Sequence, residues 1–286
     1  MKKLSAIYLT LLLSLPLFAA DQVQDLRKNV EIKKLKRERG LEVCIEKIPH
    51  VKQRKNFCAP ASCSMVLRYF DQRYNQKDLG KLFNSTRDSG TYTSDIYNAF
   101  NKSELSNFEL ISIYALTSRE INEMVRACNT AKNNQSDDGR KSNRSRKKPK
   151  RRRQAAVSSG TDFWNRLDPE VARRVLPVCR APLKNKFSAL CREFIDAGIP
   201  VMWSVSMTLD PHSPAPEGHM RVINGYVVKN GKLTHILYRD SWSGHSGGDS
   251  MSLDNAVAMT KHLFAIVPRG FKSKDQLRIK PLIKDK

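Results

Sequence analysis

The strongest constraint on the fold is a β-hairpin signal near the C-terminal end of the sequence. Two runs rich in β-branched and aromatic residues, HMRVINGYVV and KLTHILYRDSW, flank the pair Asn230-Gly231. A two-residue turn between antiparallel strands prefers Asn-Gly, because both of its positions need positive φ. The sequence therefore predicts an antiparallel strand pair whose register is set by the turn.

That register places two ionisable side chains on one face of the predicted sheet. With a two-residue turn, Asp240 faces Arg221 and His219 faces Trp242. Facing residues share a side of the sheet, and the side repeats every two residues, so His219 and Asp240 are diagonal neighbours on one side. A carboxylate beside an imidazole is the arrangement that orients a catalytic base.

Helical patterns precede this hairpin, and strand patterns dominate the C-terminal part. Helices are predicted over about 58–70, 76–83, 94–101, 117–129, 168–178 and 181–198, and strands over 42–51, 108–116, 199–207, 219–228, 232–242 and 262–268. The strand over 42–51 is interpreted as an edge strand. Helices first and an antiparallel sheet last predict an α+β fold in a single domain.

Cys58 stands at the start of the first predicted helix, in the stretch KNFCAPASC. Pro60 suits a first turn, where its missing N–H has no helical partner. The thiolate is the nucleophilic form of cysteine, and the free N–H groups and positive dipole of a helix start favour it. Cys58 is therefore the candidate nucleophile. Cys63 falls on the apolar face of the same helix and is interpreted as a core residue.

A cysteine nucleophile needs a base, and the base needs an orienting group. His219 is the candidate base and Asp240 its orienting acid, while His245, in a Gly/Ser loop, is the rival base. The oxyanion of the reaction needs donors, for which the backbone N–H of Cys58 and the side-chain amide of Gln53 are candidates. No metal-ligand or nucleotide-loop motif is found, so no metal and no cofactor are predicted.

Two segments, IPHVKQRKNFCAPASCSMVLRYF and GHMRVINGYVVKNGKLTHILYRDSW, together resemble the papain-like cysteine peptidases of family 39, which include bacteriocin-processing peptidases. The resemblance extends from about residue 48 to residue 268 and implies a papain-like fold. It implies that Cys58 is the nucleophile and His219 the base. It also implies that Asp240 is the orienting acid and Gln53 the oxyanion glutamine. The implied activity is peptide hydrolysis through an acyl-enzyme, with acyl transfer to an amine as a variant.

The sequence departs from the family pattern at three positions. Ala59 replaces the usual glycine after the nucleophile, Gln53 stands slightly closer to the cysteine, and Ser243 replaces a glycine after the tryptophan. None of these changes removes a catalytic atom. The bacteriocin processors sit on transporters and cut after a double glycine, whereas this sequence shows no transporter pattern, so that specificity is not expected here.

The N-terminal segment predicts an exported protein. Residues 1–20 have a basic start, a short apolar run and small residues at the end, as in a secretory signal peptide. No stretch is long and apolar enough to be an integral membrane segment of the mature chain, so we expect a periplasmic or extracellular location. Residues 21–43 are interpreted as an exposed charged lead-in, with a helix as one option. The peptidase domain then covers 44–270, and a basic tail covers 271–286.

Much of the net charge of +23 comes from one segment. Residues 140–153 hold ten Lys and Arg residues and no acidic residue. They lie in a polar stretch, 131–160, that lacks apolar periodicity and is therefore interpreted as a disordered insertion. Its charge predicts non-specific, salt-sensitive contact with polyanions, in addition to a peptide or protein substrate.

Six cysteines in an oxidising compartment leave other interpretations open. If Cys58 is bridged, the chain is a disulfide-stapled basic adhesion protein. If the chain has the papain-like fold but no peptidase activity, it is a peptide- or cell-wall-binding pseudoenzyme. Among the remaining cysteines, Cys179 and Cys191 would close the shortest loop, and Cys128 could be joined to either.

Overall fold

A computed structural model describes residues 32–37, 40–88, 90–101, 103–138, 164, 167–211, 217–242 and 249–269. The predicted signal peptide, the basic segment 140–153, the C-terminal tail, His245 and Ser243 lie outside these residues. Within the described ranges, no helix combines the length and the apolar composition that crossing a bilayer requires.

The described residues form a mixed structure of helices and one open antiparallel sheet, as an α+β fold requires. The helices are α1 (Cys58–Tyr69), α2 (Gln76–Leu82), α3 (Thr93–Phe100), α4 (Ser118–Asp138), α5 (Pro169–Cys179), α6 (Leu183–Asp196) and α7 (Leu253–Met259). The strands are β1 (Ile32–Arg37), β2 (Gly40–Ile45), β3 (Phe108–Ala115), β4 (Val201–Ser206), β5 (Gly218–Lys229), β6 (Lys232–Asp240), β7 (Asp249–Ser252) and β8 (Thr260–Pro268). The main strand order is β1-β2-β5-β4-β8-β3, and β6 joins β5 to β7.

The hairpin predicted from Asn230-Gly231 is confirmed. Both turn residues have positive φ, 52° and 73°, and the flanking strands are β5 and β6. Arg221 pairs with Asp240 across the ladder, as the turn length predicts. The register at the far end of the hairpin is therefore the predicted one.

The middle of the hairpin differs from this simple register. The ladder shifts once at Asn224 in β5 and once at Thr234 in β6. Each shift is a bulge that adds one residue, and the two bulges lie on opposite strands, so their effects cancel. His219 and Asp240 consequently keep the relation that an unbroken ladder would give them.

Gly225, directly after the first bulge, lies against the backbone of β2. A Cβ atom at this position would lie 2.5 Å from the carbonyl oxygen of Val43 and 2.8 Å from the Cβ of Cys44. We expect Gly225→Ala to lower the free energy of unfolding by about 1–3 kcal/mol in urea titrations. Gly231→Asn is the control, because nothing lies within 4 Å of that site and asparagine tolerates positive φ. Equal losses in the two variants would contradict the prediction.

The interpretation of residues 32–43 as a lead-in outside the domain was wrong. Residues 32–37 form β1, residues 40–43 belong to β2, and β2 pairs with β1 on one side and β5 on the other. Strands therefore also precede the first helix, contrary to the predicted order of helices first. The predicted edge strand is thus an interior strand, and it ends at Ile45. Among the described strands, β1 is the edge on this side of the sheet. Its sequence IKKLKR resembles a solvated segment because edge strands often carry lysines that discourage further pairing.

Helix α4 is longer than predicted and continues into the stretch assigned to the insertion. A capping box begins the helix, as the spacing of Thr117 and Glu120 in the sequence predicts: Glu120 N donates to Thr117 Oγ1 at 3.2 Å, and Thr117 N donates to Glu120 Oε2 at 2.7 Å. The helix ends at Asp138, so the assignment of 131–138 to a disordered insertion was wrong. Extending an existing helix needs no apolar face, because propagation fixes few dihedrals for each new hydrogen bond.

Helix α1 is buried against β5, and this packing positions the site. Cys63, Val66 and Leu67 have no exposed surface, which confirms Cys63 as a core residue. The hydroxyl of Ser62 donates to the carbonyl oxygen of Met220 at 2.9 Å. This buried bond ties the first turns of α1 to the start of β5, one residue from His219.

Candidate active site

Cys58 is the first residue of α1, and it is half-buried at the edge of a cleft. Phe57 occupies the N-cap and supplies no side-chain hydrogen bond, and the first turn contains no acidic residue. The positive end of the helix is therefore not neutralised by its own side chains. The cleft has a volume of about 710 Å³, and Cys58 and His219 both line it.

His219 and Asp240 form a direct buried pair. His219 Nε2 donates to Asp240 Oδ1 at 2.7 Å, and both side chains are 2% exposed. The Trp242 ring stacks on the imidazole at 4.5 Å between centroids, and Trp242 N donates to Asp240 Oδ1 at 2.9 Å. Because Nε2 is engaged, Nδ1 is the nitrogen that remains for Cys58.

The surroundings favour the charged forms of this pair. Burial lowers the pKa of His219, but hydrogen bonds with Asp240 and Cys58 and the charges of both residues outweigh it and raise the pKa to about 9. Burial raises the pKa of Asp240, yet the hydrogen bond from His219 and the charges of His219 and Arg221 bring it well below its usual range. At neutral pH the pair is thus an imidazolium beside a carboxylate.

No family model and no curated protein matches this chain. The function is therefore inferred from the side chains of the site. Within the described residues, no three His, Cys, Asp or Glu side chains converge on one point that could hold a metal ion.

Arg221 extends the pair into a longer buried chain of charges. Its Nε donates to Asp240 Oδ2 at 2.7 Å, and its Nη2 donates to Asp210 Oδ2 at 2.6 Å. The guanidinium also lies 4.6 Å from the centre of the Tyr238 ring. Both oxygens of Asp240 are therefore held, which fixes the carboxylate towards His219. The predicted register already placed Arg221 opposite Asp240, but no sequence pattern indicated Asp210.

Gln53 is held beside the residue that follows Asp240. Gln53 N donates to the carbonyl oxygen of Ser241 at 2.8 Å, and Ser241 Oγ donates to Gln53 Oε1 at 2.7 Å. The amide oxygen is thereby occupied, which orients the amide and leaves its NH₂ group without a partner among the described residues. The structure thus joins Gln53 to the Asp240 end of the site and records no hydrogen bond between its side chain and Cys58.

A side chain from α2 holds the loop that carries Gln53. Gln76 Nε2 donates to the carbonyl oxygen of Lys52 at 2.7 Å, and Arg54 N donates to Gln76 Oε1 at 2.8 Å. The amide of Gln76 thus bridges the residues on either side of Gln53. This clamp holds the loop against the start of α2.

Two further histidines lie near the site. The sequence offered no partner for His50, but its Nε2 donates to the backbone carbonyl of Asp240 at 3.0 Å. His262 lines the cleft, and burial, together with the charge of Lys261, lowers its pKa to about 4. His262 is thus neutral at pH 7, whereas His219 is charged.

All six cysteines lie in the described part of the chain, and all six are free thiols. Cys58 is not bridged, in contrast to the stapled alternative, and neither Cys179–Cys191 nor a pair with Cys128 is formed. Burial raises the pKa of Cys63 and Cys191 strongly and that of Cys128 to about 11. These buried thiols are therefore poor nucleophiles at neutral pH.

Proposed function

We propose that this chain is an exported, papain-like cysteine peptidase in which Cys58, His219 and Asp240 act together. The observation that carries the proposal is the 2.7 Å bond between His219 and Asp240 beside a half-buried thiol that opens a helix and lines a cleft. A nucleophile, a base and an orienting acid in this order are what acyl transfer to a thiol requires.

The proposed reaction begins with attack by the Cys58 thiolate on the carbonyl carbon of a peptide bond. The His219 imidazolium then gives its Nδ1 proton to the departing amine, the C–N bond breaks, and a thioester remains on Cys58. Neutral His219 next removes a proton from water, which attacks the thioester carbonyl. The acid product leaves, and the thiolate–imidazolium pair is restored. An amine in place of water would give acyl transfer instead.

The tetrahedral intermediate needs donors for its oxyanion. In this proposal the backbone N–H of Cys58 and the side-chain NH₂ of Gln53 provide them. Support comes from the orientation of Gln53, because Ser241 occupies its amide oxygen and leaves only the donor end available. The clamp by Gln76 would keep that donor in place during catalysis.

The proposal includes a papain-like arrangement of the fold around the site. Two features support this arrangement: the candidate nucleophile lies at the start of a buried helix, and that helix packs against an antiparallel sheet that carries the candidate base. The sheet contributes His219 from one strand and Asp240 from its hairpin partner, as the resemblance implies for the family.

Alkylation of the mature protein tests the proposal. We expect iodoacetamide to label Cys58 at pH 7 about tenfold faster than Cys44 and Cys179, whose pKa values burial raises. Peptide mapping by mass spectrometry identifies the labelled site. Hydrolysis of quenched fluorescent peptide libraries should disappear in step with labelling of Cys58.

Two results would argue against the enzyme. Hydrolysis that survives complete alkylation of Cys58 would rule out this nucleophile. Fast labelling of Cys58 without any hydrolysis or acyl transfer would favour the peptide- or wall-binding pseudoenzyme. Cys63 and Cys191, which are fully buried, serve as internal controls that should stay unlabelled in the folded protein.

A further inference from the structure

The cleft beside Cys58 also contains the side chain of Lys261, which the proposed triad does not use. Lys261 belongs to β8, close to the strand end that faces the site. The ladder between β4 and β8 shifts here, since Val205 pairs with Thr260 but Ser204 pairs with His262. Lys261 is therefore the extra residue of a β-bulge, a device that redirects a side chain out of the regular alternation.

The redirected side chain reaches the neighbourhood of the reacting groups. Its Nζ lies 3.4 Å from the position that a Cβ atom on Gly218 would occupy, and Gly218 directly precedes His219. The absence of a side chain at Gly218 leaves space around the ammonium. Cys58 and Lys261 line the same cleft. Burial lowers the pKa of Lys261, and the charge of Cys58 acts in the opposite direction.

Among the described residues, no carboxylate forms an ion pair with Lys261. The acidic residues that line the same cleft, Asp88 and Glu217, are exposed and lie in no ion pair with it. A partly buried ammonium without a carboxylate partner is costly for a folded protein. An anion from solution or from a ligand would stabilise this ammonium by forming a charge-assisted hydrogen bond with it.

We propose that Lys261 binds a carboxylate of the substrate next to the scissile bond, so that the site prefers peptides that carry a carboxylate there. This inference rests on the proposed peptidase function. The carboxylate has two sources, an Asp or Glu side chain near the scissile bond or the free C-terminus of a short peptide. Both sources present the same anion to the ammonium, and the experiments below separate them.

The first experiment does not depend on peptidase activity. Iodoacetate and iodoacetamide alkylate the same thiolate, but only iodoacetate carries a carboxylate. The ratio of their rates at Cys58 therefore cancels the amount of thiolate and reports the nearby cation. We expect Lys261→Met to lower the iodoacetate-to-iodoacetamide ratio about fivefold or more, and Lys261→Arg to retain most of it.

Lys232→Met is the matched control, because Lys232 is an exposed lysine at the hairpin turn. It changes the net charge equally and should leave the ratio unchanged. An unchanged ratio in Lys261→Met, or an equal fall in the Lys232 control, would overturn the inference even if the protein hydrolyses peptides.

The second experiment separates the two sources of the carboxylate. Peptide pairs that differ by Glu against Gln at each position around the cut test the side chain, and pairs with free-acid against amide C-termini test the terminus. We expect one of these pairs to show about tenfold higher kcat/KM for the acid in the wild type, and Lys261→Met to remove that preference. Equal kcat/KM for acid and amide in every pair would overturn the inference.

The two experiments also separate this inference from the proposed function. If no peptide is hydrolysed, the proposed function fails, and the alkylation ratio still decides whether Lys261 attracts carboxylates to Cys58. If peptides are hydrolysed without any acid preference, the proposed function stands and the inference about Lys261 fails.

Discussion

Replacing His219 with alanine is expected to lower kcat/KM for peptide hydrolysis by about 10²- to 10⁴-fold at pH 7. The variant keeps the Cys58 thiol but loses both the proton donor for the departing amine and the cation that favours the thiolate. Alkylation of Cys58 by iodoacetamide at pH 7 should therefore also slow markedly. His235→Ala is the control, because His235 lies on the same strand as Asp240 but five residues away.

The pH dependence of kcat/KM and of stability gives a second test of the role of His219. The pKa of His219 is raised to about 9, so wild-type kcat/KM should fall as the pH rises through about 9, where the imidazolium loses its proton. The raised pKa also means that the folded protein holds this proton more tightly than the unfolded chain. The resulting stabilisation is full below the ordinary pKa of 6.5 and is lost as the pH rises through about 9.

The difference in unfolding free energy between wild type and His219→Ala should therefore shrink across this interval. Urea titrations at pH 6 and pH 9.5 would measure it. A difference that does not change with pH would show that His219 is not held as a buried imidazolium. Unchanged hydrolysis in His219→Ala would eliminate it as the base.

Replacing Arg221 with methionine is expected to lower the free energy of unfolding by about 3–5 kcal/mol. The guanidinium lies between two buried carboxylates, Asp240 and Asp210, and bonds to both. Methionine would fill part of the volume but would remove the cation that bridges the two carboxylates, and Asp240 would keep only its pair with His219. Urea denaturation followed by tryptophan fluorescence measures the loss, because Trp203 lies within 5.9 Å of the guanidinium.

A double variant makes the origin of this loss testable. Adding Asp210→Asn to Arg221→Met neutralises the carboxylate that has lost its ion pair with the guanidinium, so part of the lost stability should return. Asp240 would keep the hydrogen bonds from His219 and Trp242. A double variant as unstable as the single one would point to lost packing against Tyr238 rather than to stranded charge.

Arg192 provides a matched control for the guanidinium. It also lies over a tyrosine ring, 5.8 Å from the centre of Tyr226, and donates to the carbonyl oxygen of Gly231 at 3.1 Å. It is only half-buried and forms no ion pair with the described carboxylates. Arg192→Met should therefore cost only about 1 kcal/mol or less. A similar loss in the free energy of unfolding for Arg192→Met and Arg221→Met would contradict the prediction that the two buried ion pairs of Arg221 cause the large loss.

Local patterns were sufficient for most individual elements. The start of α1, the capping box of α4 and the hairpin turn each depend on residues within a few positions of one another. The pairing of His219 with Asp240 also follows from the turn, although it holds only because the bulges at Asn224 and Thr234 cancel. Gly225, inside the strand pattern, is a local sign of the first bulge, but Thr234 carries no such sign. Either bulge alone would have placed these two residues on opposite faces.

The N-terminal hairpin shows where local patterns fail. The residues of β1 are mostly lysine and arginine, and nothing near them in the sequence indicates a partner. Their strand conformation depends on β2, which in turn depends on β5, almost two hundred residues later. Long-range pairing of this kind leaves no trace in local periodicity.

The sequence by itself determined most of the individual helices and strands, the hairpin register and the residues of the candidate triad. These features arise from short-range spacing, in which neighbouring positions decide capping, turn type and the face of a strand. Only the tertiary structure decided the packing of α1 on β5, the clamp of Gln76 around Gln53 and the approach of Lys261 to Cys58. Each of these joins segments far apart in the chain, and their meeting depends on how the core packs and where the ladders shift.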